Sequence, residues 1–73
     1  MTIINTTNAI LAVCNQVAKH GPETFTPRDP FTGQVVTSLE IHVPKYPTWE
    51  DMGYIQFLKE HPRPGVIIHD TKS

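Results

Sequence analysis

The stretch Val35-Val36-Thr37-Ser38-Leu39-Glu40-Ile41-His42-Val43 decides the fold. Its odd positions, Val35, Thr37, Leu39, Ile41 and Val43, fall on one side of an extended chain. Val36, Ser38, Glu40 and His42 fall on the other. Successive side chains of a strand point to opposite faces, so this alternation predicts a strand over 35–43 with one buried and one open face.

Prolines and glycines place its neighbours. Upstream, Glu23–Pro27 reads as a short strand with Phe25 inward, and Asp29-Pro30-Phe31-Thr32-Gly33 carries turn residues in turn order. A hairpin centred near Phe31 then sets Phe25 opposite Thr37 and Pro27 opposite Val35. Before it, Ile10, Val13, Cys14 and Val17 recur at helical spacing and predict a helix from about Ala9 to His20. Thr7 and Asn8 are its candidate caps, and Gly21 is expected to end it in the left-handed conformation, with Pro22 barring continuation. Ile3 and Ile4 either clamp the helix entry or belong to a flexible arm over residues 1–6.

Downstream, Pro44-Lys45-Tyr46-Pro47 reads as a stiff extended connection. Thr48 caps a second helix, with Asp51 completing an acidic variant of the capping box. Trp49, Met52, Ile55, Phe57 and Leu58 are its expected apolar surface, and Glu50, Gln56, Lys59 and Glu60 its wet side. Gly53 costs about 1 kcal/mol of helix propensity relative to Ala, which suggests a close approach at that point. Pro62-Arg63-Pro64-Gly65 ends the helix, Val66–Asp70 forms a last strand, and residues 71–73 are expected to fray.

The predicted architecture is therefore α+β: a small two-layer sandwich in the order α-β-β-α-β, with a three-stranded sheet and two helices on one face. The connection from the second strand to the third is long enough for a crossover that leaves the two parallel. The place of the third strand in the sheet stays open at this point.

With 73 residues and 8.2 kDa, the chain reads as a single compact domain over 1–73. Six Lys and Arg against seven Asp and Glu give a formal charge of -1, and the cations lie in six separate places. That distribution argues against a duplex-binding module, which concentrates cations on one face, and seven acidic residues are too few for a DNA mimic. Cys14 is a lone cysteine, so no internal disulfide staples the fold, and a reducing cytoplasmic setting is expected. The opening residues carry neither a signal-peptide pattern nor a membrane span. A chain that starts at Met without a tag is expected to be a complete small gene product.

Chemistry has no strong sequence handle. Cys14 and the four histidines, His20, His42, His61 and His69, show none of the short ligand spacings typical of metal sites, so no metal, cofactor or catalytic residue is assigned. His42 and His69 would converge if their strands were neighbours. Cys14 reads as core, and His20 and His61 as helix-end groups. Glu50 and Asp51 are adjacent on a helix and form no facing dyad, and no glycine-rich phosphate cradle exists.

Two surfaces are candidates for recognition. The outward stripe Val36, Ser38, Glu40 and His42, extended by Thr24, Thr26, Ile67 and His69, would be open if both helices cover the other side. Phe31 at the hairpin tip and Tyr46 between two prolines are rigid aromatics flanked by Arg28, Lys45 and Arg63. The expected protein-interaction residues are Phe31, Tyr46, Arg28, Lys45, Val36, Glu40 and His42. The expected function is a non-enzymatic protein-binding modulator or inhibitor acting by surface occlusion, a form common among small regulators, including those of bacteriophages. A nucleic-acid-binding module using the open face is the alternative. A homodimer paired through an exposed strand edge, with 35–43 as the best template, is a further expectation.

Overall fold

The computed structural model describes residues 2–69. Its elements run β1 (Thr2–Ile4), α1 (Thr7–Lys19), β2 (Leu39–His42), α2 (Trp49–Glu60) and β3 (Val66–His69). The domain is α+β, with a three-stranded sheet covered on one face by two helices. The sheet order is β1-β2-β3 and both pairings are parallel. Two β-α-β crossovers stepping in the same direction place both helices on one side.

The connectivity corrects the expected α-β-β-α-β order to β-α-β-α-β. The first strand is not Glu23–Pro27 but Thr2–Ile4, taken from the segment expected to be a flexible arm. Ile4 is fully buried, and Thr2, Ile3 and Ile4 stand opposite Leu39, Glu40 and Ile41. A parallel partner for Ile3-Ile4 is supplied from 37 positions along the chain, and local pattern carries no trace of it. The expected frayed tail, residues 71–73, lies outside the described residues.

Strand β2 is shorter than the alternation over 35–43 suggests. A strand persists only where neighbours accept its hydrogen bonds. The Leu39 amide donates to Gly65 O at 2.7 Å, Thr2 N donates to Ser38 O at 3.2 Å, and Val43 N donates to His69 O at 3.1 Å. Upstream of Ser38 the chain turns away to its own loop, where Val36 N donates to Pro27 O. Beyond Val43, Pro44 has no amide to offer. Within these limits the alternation holds: Leu39 and Ile41 are fully buried, Glu40 and His42 only partly.

The segment 21–38 is a loop folded on itself. Its two sides meet at one antiparallel bridge, Arg28 to Val35, one residue out of the expected Pro27–Val35 register. Asp29 Oδ1 accepts from the amides of Phe31 (2.8 Å) and Thr32 (3.1 Å), and Gly33 takes a positive φ of 75°. Gln16 on α1 clamps the loop base, donating to Arg28 O at 2.9 Å and accepting from Arg28 N at 3.3 Å. Phe25 is buried as expected, without being in a strand.

Helix α1 buries Ala9, Ile10, Val13, Cys14 and Val17 against the sheet, as its spacing requires. Its cap is Thr6, whose hydroxyl accepts from Ala9 N, rather than Thr7 or Asn8. Thr7 is thereby released for a longer-range bond. Gly21 does not adopt a positive φ: α1 ends on His20 in an extended conformation, and Arg63 Nη2 donates to the Val17 and His20 carbonyls at 3.3 Å each. A cation at the negative helix end replaces the glycine cap.

Helix α2 carries the predicted Thr48–Asp51 capping box. The face it buries is Asp51, Ile55 and Leu58, with Tyr54 and Phe57 half-buried; Trp49 and Met52, also counted to its expected apolar surface, are exposed. A Cβ at Gly53 would meet nothing within 4 Å, so that glycine serves no close approach. Gly65 does: its φ is 85° and an added Cβ would lie 2.5 Å from Pro27 Cγ.

Candidate functional site: the open face of the sheet

With both helices on one side, the outward residues of the strands make a surface of their own. The register puts Ile3, Glu40 and Ile67 in one row and His42 and His69 in the next. Aligned residues of a parallel pair share a face, so these five side chains stand together. Ile3 and Ile67 are 57% and 46% exposed, on either side of Glu40. The apolar flanks and the polar centre come from all three strands.

The polar centre is tightly organised. His69 Nε2 lies 2.7 Å from Glu40 Oε1, and the His42 and His69 rings sit with centroids 4.8 Å apart, tilted by 33°. One potential ligand atom from each of Glu40, His42 and His69 lies within 4.8 Å of the others. Strands β2 and β3 are neighbours, so the convergence of His42 and His69 that the sequence left conditional takes place, with Glu40 joining it. The other candidate ligands lie apart from this cluster. His20 caps α1, Cys14 is buried, and the His61 ring stacks on Phe57 with its Nδ1 3.0 Å from Phe57 O.

Val36, Thr24 and Thr26, also expected on this face, are not there. Val36 packs half-buried against the core, because the chain has left the sheet by that point. Thr24 and Thr26 belong to the loop. Strand β2, offered as an edge for homodimer pairing, is the central strand; the edges are β1 and β3.

Phe31, Tyr46 and Trp49, whose exposure the sequence leaves open, are exposed, at 72%, 83% and 81%. Trp49 and Met52, one helical turn apart, make the outer side of α2 apolar. Arg28 is occupied: its Nη1 donates to Gly33 O at 3.1 Å. Lys45 lies over the Tyr46 ring, with Nζ 5.7 Å from the centroid, a cation–π arrangement within the chain.

Two titratable groups are shifted by their surroundings. Burial pushes the Cys14 thiol up to about 11, which removes it from nucleophilic use at neutral pH. Asp51 is held below the usual carboxylate range by the Thr7 hydroxyl, against the opposing effect of its burial, with further help from Thr48. Both belong to the core side of the molecule. Among the described residues, no helix is long and apolar enough to cross a membrane. Comparison with protein-family models, curated proteins and solved structures yields no match.

Proposed function

We propose that this chain is a small non-enzymatic protein-binding modulator that occludes a macromolecular partner with the open face of its sheet. The observation that carries this reading is an all-parallel sheet bare on one side. Parallel sheets occur almost only with both faces covered. Here Ile3 and Ile67 stay exposed on either side of Glu40, apolar area that a partner seated on the face would take out of water.

Size sets a constraint. Three strands spaced by about 4.8 Å, each about four residues long, present a plane of roughly 14 by 13 Å, or about 200 Å². A stable interface buries about 800 Å² per partner, some sixth of the 4880 Å² surface of this chain. A partner seated on the face therefore also covers the β1 and β3 edges and the neighbouring loops. Edge pairing supplies backbone hydrogen bonds in that arrangement.

Nucleic-acid binding draws no comparable support. Two of the cations proposed to carry it, Arg28 and Arg63, are engaged with carbonyls of their own chain. The free Cys14 thiol suits a reducing cytoplasmic setting. The test is affinity capture from host lysate at physiological salt, comparing the parent chain with Ile67→Lys and with a Phe31→Ala/Tyr46→Ala double variant. A stoichiometric partner is expected with the parent, reduced at least about tenfold by a buried interfacial charge in Ile67→Lys. No stoichiometric partner, or full retention by Ile67→Lys, refutes the reading; loss confined to the double variant moves the interface to the aromatic surface.

A further inference from the structure

The geometry points to a binding site for one first-row divalent transition ion, with zinc the first candidate, on the Glu40 carboxylate and the His42 and His69 imidazoles. The inference rests on these three side chains alone and holds whether or not the face docks a protein. Among the described residues this is the one cluster of three such donors.

The backbone does the positioning. His42 and His69 are register partners on adjacent strands, and Glu40 is two residues before His42, hence on the same face. Their Cα atoms form a triangle with sides of about 4.8 and 6.6 Å, fixed by strand spacing and rise. Glu40 is held partly buried, with its side chain 15% exposed, whereas His69 is free to adjust at 43%. Zinc bonds of about 2.0–2.2 Å require ligand atoms about 3.3 Å apart. The 2.7 Å Glu40–His69 pair has to open slightly, and donors as far apart as 4.8 Å have to close by about 1.5 Å. Small rotations of half-exposed side chains accomplish both without moving the strands.

The donor set selects the ion. Two imidazole nitrogens and one carboxylate oxygen suit zinc, nickel, cobalt or copper, whereas calcium and magnesium prefer oxygen throughout. On binding, His69 Nε2 turns its lone pair to the ion. Any proton held between it and Glu40 is released to solvent. Three protein ligands on an open face leave at least one coordination position for water or for a donor brought by another molecule. The site would then be a point where an ion strengthens contact with a carboxylate or imidazole outside the chain.

The test is a zinc titration of the full chain by calorimetry, using zinc chloride alone in a non-coordinating buffer. One ion per chain with a Kd below about 100 μM is expected. Glu40→Gln, His42→Gln and His69→Gln should each weaken binding at least about tenfold, while a His20→Gln/His61→Gln double variant binds like the parent. Ring resonances of the unmutated chain give a readout independent of any variant: zinc should shift those of His42 and His69 and leave His20 and His61 in place. Absence of saturable binding, binding indifferent to His42→Gln and His69→Gln, or shifts centred on His20 and His61 would overturn the assignment.

Discussion

Removing the Asp51 carboxylate should cost this domain a large share of its stability. Asp51 is only 3% exposed, yet its carboxylate is satisfied by two bonds, and its amide completes the cap with a third. Its Oδ1 accepts from the Thr7 hydroxyl at 2.6 Å, its Oδ2 from Thr48 N at 3.1 Å, and its own amide donates to Thr48 Oγ1 at 3.1 Å. The first bond ties the start of α1 to the start of α2 across 44 positions of chain. A hydrogen bond to an ionised group contributes about 1.5–3 kcal/mol. Asp51→Ala deletes two of them, so about 3 kcal/mol is expected, from a total of about 4–11 kcal/mol for a chain this size. That loss corresponds to a fall in Tm of about 12–24 °C.

The sign with pH follows from the shift. The unfolded chain protonates Asp51 near the ordinary value of about 3.9, and the folded chain only at lower pH, because the Thr7 hydroxyl favours the charged form. The contribution is therefore complete above the ordinary value and is lost as pH falls through the folded one. Thermal melts of parent, Thr7→Val, Asp51→Ala and the double variant, repeated down the acid range, measure both effects. A Tm change under about 4 °C for Asp51→Ala, or strict additivity of the Thr7 and Asp51 substitutions, would refute the reasoning.

Further outcomes follow from the same geometry. Gly65→Ala forces a side chain onto a φ of 85° and into Pro27, and should lower stability by about 2 kcal/mol or more, read from the urea midpoint. Gly53→Ala, in open helical space, should raise it by about 0.5–1 kcal/mol; equal effects at the two glycines would contradict the packing described. With its thiol raised to about 11, Cys14 should react with a thiol reagent at pH 8 at least about a hundredfold more slowly in the folded chain than in urea, and equal rates would place it outside the core.

Where a local rule determines an element, the sequence reading and the fold agree to within a residue, the α1 cap falling on Thr6 rather than Thr7 or Asn8. The Leu39/Ile41 against Glu40/His42 alternation, the α1 stripe and the Thr48–Asp51 box all depend on neighbours within a turn or a strand. The larger disagreements arise where the deciding partner is far along the chain. Ile3-Ile4 is too short to show a period, and becomes a strand because β2 is there to receive it. Glu23–Pro27 and Val35–Thr37 have strand composition but no strand neighbour, and settle as a loop held by Gln16. On α2 the spacing fits two faces, and Asp51, Ile55 and Leu58 win over Trp49 and Met52 because the Thr7 hydroxyl satisfies a buried carboxylate. The Glu40–His42–His69 cluster was only conditional for the same reason: spacings of 2 and 27 positions become a cluster only once the β2–β3 register aligns His42 with His69.

The most direct measurement is hydroxyl-radical footprinting of the chain alone and with its captured partner. Ile3, Ile67, His42 and His69 should be oxidised in the free chain and protected in the complex, with Leu39 and Ile41 unreactive in both. Protection confined to Tyr46, Trp49 and Met52, with the sheet residues as reactive as before, would contradict recognition through the open face.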